Sequence, residues 1–384
     1  MSALCHPELR AKGLPAGVGM LRSALSMTLV GLALLLAACG GTAAPAPSGA
    51  SSGQGKPATP AQIAAYRGAD RQQLLEDGAR KEGKFTWYTS LTGPAIDRLF
   101  AGFKQKYPFM APEVFRGTDN ELITRATQEA QAGKDVFDLM ESPPTALRIV
   151  SAAKLLTPYY TPLVANFPEG FTYGASNGLV ETAVDRVQYV SFAYNTKMAP
   201  GPDPTITEDL LKPQFAGFGI AGSTTGPRWV GSILQLMGED KGKQFLTQLE
   251  TQQKPHVYQT SATSVNDLIG KGEIPASPTI FESDAYRLSH EQGAAVKWLP
   301  LGEVVVNPGE VGMNVRAPHP YSALLFLDYL LGDAQSVFTS IGMHTAAEKP
   351  PTNEKLWLPE QDKTADQIEA QTKAWTDLFN ATFR

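Results

Sequence analysis

Cysteine is almost missing from this chain: it occurs twice in 384 residues, as Cys5 and Cys39, both near the N-terminus. No disulfide framework can staple the body of the protein, so its stability must come from burial. Basic charge is also in deficit. Lys and Arg number 33 against 38 Asp and Glu, with no basic stripe, which argues against nucleic acid and anionic lipid as partners. Beyond Leu36 no uncharged apolar run approaches the roughly 18 residues that a membrane-spanning helix needs. Internal repeats, the mark of a scaffold or adhesin, are not visible. The five histidines, His6, His256, His290, His319 and His344, have none of the spacings of zinc ligands, so no metal is assigned. No His-Glu-x-x-His helix and no nucleophile elbow is read, so no enzyme and no cofactor is expected; the competing class is an exported hydrolase.

What is present begins near the N-terminus. Arg22 supplies positive charge, Leu29 to Leu36 is an apolar core too short to cross a bilayer, and Leu36-Ala37-Ala38-Cys39 sets small residues before a cysteine. The stretch resembles a bacterial lipoprotein signal. That resemblance implies a leader over residues 1–38, read from Met1 or Met20, and lipidation of Cys39, which would anchor an exported protein to the cell envelope. Without the leader, which holds Arg10, Lys12, Arg22 and Glu8, the charge is 30 Lys plus Arg against 37 Asp plus Glu, or −7. Residues 39–62 are rich in Gly, Ala, Ser and Pro and read as a flexible tether. The remaining stretch of roughly 320 residues is long for one core and suits two lobes.

Lys84-Phe85-Thr86-Trp87-Tyr88 reads as a strand. Pro94 followed by Ile96, Leu99, Phe100, Phe103 and Tyr107 then gives the apolar stripe of a helix. A second strand, Glu113 to Arg116, leads into Thr118-Asp119-Asn120-Glu121, a capping box for a helix ending near Gly133. A third strand follows at Val136 to Met140. This β-α-β-α-β order with short connections predicts a parallel sheet flanked by helices, hence an α/β fold. Ligands of such sheets gather beyond the carboxyl ends of the strands. The loops there supply Thr89, Ser90 and Thr92, then Arg116 and Thr118, then Glu141 and Ser142, a set suited to a polar or anionic ligand.

Several segments carry a wider resemblance: Trp87-Tyr88-Thr89-Ser90, Tyr107-Pro108, Phe137-Asp138-Leu139, Phe192-Ala193-Tyr194-Asn195-Thr196, Gly270-Lys271-Gly272-Glu273, and Arg316-Ala317-Pro318-His319-Pro320 leading into Ala323 to Leu331. In this order they resemble the solute-binding proteins of ATP-binding-cassette importers, in particular the two-lobed class that includes ferric-ion, thiamine and phosphonate binders. The resemblance implies a periplasmic-binding-protein fold of class II, with two α/β lobes joined by two crossover strands, near Val187 to Asn195 and Glu303 to Val315. Lobe 1 is expected over 63–192 plus 302–342, and lobe 2 over 193–301 plus 343–384. The helix from Thr364 to Phe383 is expected to pack on lobe 2 through Ile368, Trp375 and Phe379. The implied partners are a small-molecule solute, an ABC permease with its ATPase, and the membrane through the lipid on Cys39, with the protein itself a monomer.

On the second lobe the resemblance brings Ser223, Thr224, Thr225 and Arg228 to the cleft, with Trp229, Thr260 and Ser261 nearby, and then Ser283, Asp284 and Tyr286. Iron binders of the class use an adjacent tyrosine pair, whose matching positions here hold Ser283 and Asp284; the ferric-binding member stays as the alternative. Tyr159-Tyr160 is an adjacent pair, but neighbours in an extended segment point to opposite faces, so packing is expected. The expected ligand is a small anionic or polar solute held by hydroxyls, amides and the two arginines.

Overall fold

Alternation along β1 (Lys84–Thr89) sends Phe85 and Trp87 to one face and Tyr88 to the other, all fully buried. The computed structural model describes residues 57–91, 93–347, 355–360 and 363–383. The leader, Cys39, most of the tether and Thr92 lie outside the described residues. On the Phe85 face, helix Gly93–Lys106 lays down Ala95, Ile96, Leu99 and Phe103, and Phe326 of helix Pro320–Leu331 closes an aromatic cluster with Phe85 and Phe103. β2 (Ala111–Arg116) and β3 (Leu139–Ser142) pair in parallel on either side of β1. Thr118 and Glu121 form the expected capping box at helix Asp119–Gln131, and the chain leaves that helix through Gly133 at φ 67°.

The third strand starts at Leu139, later than the apolar pattern suggests. Asp138 is the reason. Its buried carboxylate accepts from the Thr86 and His319 amides and pairs with the His319 ring at 3.0 Å, which fixes the preceding residues as a loop. This also assigns His319 a structural place at the head of helix Pro320–Leu331.

Short strands β4 (Leu156–Thr157) and β5 (Thr172–Tyr173) precede β6 (Thr182–Asn195), and β7 (Gly219–Ala221) and β8 (His256–Tyr258) form a separate parallel pair. Then come β9 (Ala276–Phe281), β10 (Val296–Leu299), β11 (Glu303–Asn314) and β12 (Lys355–Trp357). β6 and β11 run antiparallel along most of their length and carry one mixed sheet through the molecule, in the order β10-β6-β11-β3-β1-β2.

The buried apolar side chains fall into two sets on this frame. One set surrounds β1 to β3, with Trp87 and Phe103 on one face and Tyr88 and Leu147 on the other. The second surrounds the far ends of β6 and β9, with Phe192 and Phe218 on one face and Val265 and Ile280 on the other. Between them Val184, Val187, Tyr189, Val304 and Val306 make a third cluster on the shared strands. With that cluster between the other two sets, the described residues from 57 onward form one compact unit.

The C-terminal helix packs on the second half, as expected, and the tail also reaches the first half. β12 pairs with β11. Helix Ala365–Thr382 rests on helix Thr225–Met237 and also reaches helix Pro144–Ala152 of the first half. Gly226 and Gly231 make the close approach possible, since a Cβ there would lie 3.0 Å from the Phe379 ring and 2.5 Å from the Trp375 ring.

Candidate functional site

Thr89 and Glu141 are register partners at the carboxyl ends of β1 and β3, so their side chains share a face. Thr89 Oγ1 donates to Glu141 Oε2 at 2.5 Å, and the Ser90 amide donates to the same oxygen at 3.3 Å. The other oxygen of Glu141 accepts from Arg186 Nη2 at 2.7 Å. Arg186 Nη1 donates to Gln188 Oε1 at 3.0 Å, and Gln188 Nε2 to Ser283 Oγ at 3.0 Å. One hydrogen-bonded chain thus runs from the strand ends of the first half, along β6, to helix Glu282–Tyr286 of the second. Arg186 and Gln188 are absent from the sequence reading. The signal was there in Asp185-Arg186, a charged pair inside a strand whose neighbours are apolar.

The chain passes a β-bulge. Gly309 pairs with Arg186 and Glu310 with Val184, so Asp185 is the extra residue. Asp185 is fully buried, and neither carboxylate oxygen has a hydrogen-bond partner among the described residues. Burial, with the charge of Glu141 nearby, holds its carboxyl well above the usual range, against the pull of Arg186. Gly309 closes over this cluster: a Cβ there would stand 2.6 Å from Glu141 Oε1, 2.8 Å from Arg186 Cζ and 2.9 Å from Asp185 Oδ1.

The other candidates lie in several places. Ser142 is next to Glu141 on a strand and so faces the opposite way, where it donates to Asp119 at 2.8 Å. Thr118 is spent on its capping box, and Arg116, exposed at the sheet edge, donates to the Leu91 carbonyl at 3.2 Å. Ser223 and Thr225 stand 3.4 Å apart at the start of helix Thr225–Met237, with Thr224 exposed beside them. Arg228 donates to Asn307 on β11 and to Glu360 of the tail, with which it forms an ion pair. Its guanidinium is therefore committed within the protein. Asp284 accepts from Thr263 at 2.7 Å, and desolvation pushes its carboxyl up to about 6. Tyr286 stacks on His290 with centroids 4.2 Å apart. Arg98 and Glu291, both exposed, meet at 3.4 Å and link a first-half helix to the second half. Among the described residues no group of three or more His, Cys, Asp and Glu is placed to hold a metal ion. Tyr159 is buried and donates to the Val311 carbonyl, whereas Tyr160 faces Arg67 and Arg71.

No protein-family model and no curated protein matches the chain. Solved structures do. Iron-bound HitA from Pseudomonas aeruginosa aligns over 78% of this chain and 99% of its own, at 18% identity and a TM-score of 0.60. AfuA from Actinobacillus pleuropneumoniae, a periplasmic binding protein with fructose-6-phosphate bound, aligns over 77% and 98%, at 18% identity and 0.61. The substrate binding protein of an ABC transporter from Agrobacterium tumefaciens aligns over 78% and 96%, at 14% identity and 0.64. The fold is that of the periplasmic binding proteins.

Two hydrolase-like spacings in the sequence do not form hydrolase sites in this fold. Gly174-Ala175-Ser176-Asn177-Gly178 matches Gly-x-Ser-x-Gly, but the structure makes it an exposed turn in which the Ser176 and Leu179 amides and carbonyls pair with each other, not a strand-to-helix elbow. Ser151-Ala152-Ala153-Lys154 ends a helix, with Ser151 donating to Glu181 at 2.9 Å and Lys154 exposed.

Proposed function

We propose that this protein is the solute-binding component of an ABC importer, tethered to the cell envelope through a lipid on Cys39, which captures a small anionic or polar solute between its two halves and delivers it to a permease with its ATPase. The observation that supports this most is the hydrogen-bonded chain Thr89–Glu141–Arg186–Gln188–Ser283, because it couples the strand ends of both halves through the strand they share. A change in the angle between the halves must stretch or compress that chain, which is how a hinged binder registers its ligand. Ser90, Ser223, Thr224 and Tyr286 retain exposed surface at the strand ends and are the sequence-read residues free to meet a solute. Glu141 and Thr89 are fully buried and position the others.

Calorimetric titration with citrate, fructose 6-phosphate and ferric citrate, followed by small-angle scattering, tests the reading. Saturable binding of an organic anion with compaction of the protein is expected. Tight binding of ferric citrate with no response to iron-free anions would replace the solute class by iron, and binding with no change in dimensions would remove the hinge.

A further inference from the structure

We infer that the anionic group of the solute is seated at Lys363, in a cavity on the opposite face of β11 from the Thr89–Glu141–Arg186 cluster. This rests on the solute-binding reading and places its ligand. Alternation along β11 sets Gly309 and Val311 toward Glu141 and sends Pro308 and Glu310 the other way. On that second face lies a cavity of about 320 Å³, walled by Pro144, Arg148, Tyr173, Glu310, Glu360 and Lys363. Its size is at the lower end of small-molecule sites, roughly 300–1,000 Å³. The first half contributes Pro144 and Arg148, the shared strand Glu310, and the tail Glu360 and Lys363, so a ligand there would bridge the first half and the tail.

The choice of an anion follows from which charges are already used. Arg148 grips Glu310 with two hydrogen bonds of 2.7 and 2.8 Å, and its guanidinium carbon lies 3.6 Å from the centroid of the Tyr173 ring. That pair is neutral and closed. Glu360 is paired to Arg228 through Oε1, and its Oε2, which has no hydrogen-bond partner among the described residues, is shut off from the surface. What remains is the Lys363 ammonium, which donates one hydrogen bond to the Pro359 carbonyl at 2.7 Å and has two donors left. Nothing among the described residues pairs with the hydroxyls of Tyr173 and Thr172, which also line the cavity. Helices Pro144–Ala152 and Ala365–Thr382 both begin at this cavity, and their positive ends add to the field of Lys363. The ligand class is an organic anion, a carboxylate or phosphate ester, whose body is small enough for the cavity and whose hydroxyl or apolar part meets Tyr173 and Pro144.

The test compares two sets of variants, Lys363→Met and Tyr173→Phe in the cavity, and Ser223→Ala with Thr224→Ala at the strand ends, titrated with citrate and fructose 6-phosphate. All four side chains are on the surface, and an unchanged thermal midpoint verifies folding. K363M is expected to weaken whichever anion binds by about tenfold or more, as loss of a charge-assisted contact does, and to weaken it more than the Ser223 and Thr224 variants, which each remove a neutral hydroxyl. Anion binding that survives K363M and is lost in the strand-end variants would overturn the location and leave the importer reading standing. No saturable binding of either anion to the parent protein would overturn both.

Discussion

A buried arginine–carboxylate pair lies on each face of β11, and the two are built differently. On one face Arg148 and Glu310 are joined by two parallel hydrogen bonds, and Thr182 donates to Glu310 at 2.5 Å. On the other, Arg186 gives Glu141 a single hydrogen bond and turns its second nitrogen to Gln188, while its Nε and both oxygens of Asp185 go unpartnered. The first pair matches every charge with a donor of fixed geometry. In the second, the guanidinium is bonded to Glu141, and the buried carboxyl of Asp185 beside it has no partner among the described residues. A satisfied pair resists displacement, whereas an under-satisfied one has alternatives close in energy. The Arg148 side is a clamp between helix Pro144–Ala152 and the sheet. The Arg186 side, at a bulge in the strand linking the halves, is where rearrangement costs least.

The largest effects should come from removing either guanidinium. R148M leaves Glu310 buried with Thr182 as its remaining side-chain donor, and R186M leaves Glu141 beside Asp185 with no cation between them. Each is expected to cost about 3–5 kcal/mol of stability, as breaking a buried pair does, measured by urea unfolding at neutral pH. The comparison is sharpened by the pH response. Both variants should recover stability on acidification, because protonation neutralises the stranded carboxylate, and R186M should recover less than R148M, because Glu141 keeps the Thr89 and Ser90 donors whereas Glu310 keeps Thr182 as its side-chain donor. Equal recovery by both variants would mean that the two faces are electrostatically alike.

A smaller effect, about 1–3 kcal/mol, is expected for G309A, which forces a methyl group into a filled space. The contact atoms belong to Glu141, Arg186 and Asp185, and the first two residues cannot swing aside without giving up their hydrogen bonds to Thr89, Ser90 and Gln188. Alanine at Gly312 of the same strand would meet only aliphatic carbons at 3.0–3.3 Å. G309A should therefore alter solute affinity as well as stability, and G312A stability alone; an unchanged affinity in G309A would detach the bulge from binding.

Much of this frame was legible in the chain itself. The helix after β1 follows from Ile96, Leu99 and Phe103, and the one after β2 from Thr118 and Glu121, because local periodicity and capping decide those elements. The long crossing strands came from the resemblance, near Val187 to Asn195 and Glu303 to Val315, and the first of them begins five residues earlier, at Thr182. What stayed hidden depends on partners far apart in sequence. Glu141 and Ser142 were both read as facing a ligand, yet adjacent strand residues face opposite sides, and which one meets Arg186 is decided by β6. Arg228 looked free because its partners, Asn307 and Glu360, are remote. The cavity at Lys363 is assembled from four separate stretches of chain, none of which has a pattern of its own.

The gentlest way to break the comparison between the two faces is D185N, which keeps the shape of the side chain and removes its charge. In the folded protein burial and Glu141 hold the Asp185 carboxyl well above its ordinary range, while in the unfolded chain it ionises near pH 4. Folded protein therefore keeps a proton that unfolded protein releases, so stability falls as pH rises above about 4 and goes on falling until the folded carboxyl itself ionises. Asparagine has no proton to lose. The D185N protein should match the parent below about pH 4 and become progressively more stable than it toward neutral pH, as followed by thermal unfolding across the range. If instead it is the less stable of the two at neutral pH, then Asp185 is ionised and paired with Arg186 in the fold, the guanidinium serves two carboxylates at once, and the bulge is as firmly clamped as the opposite face.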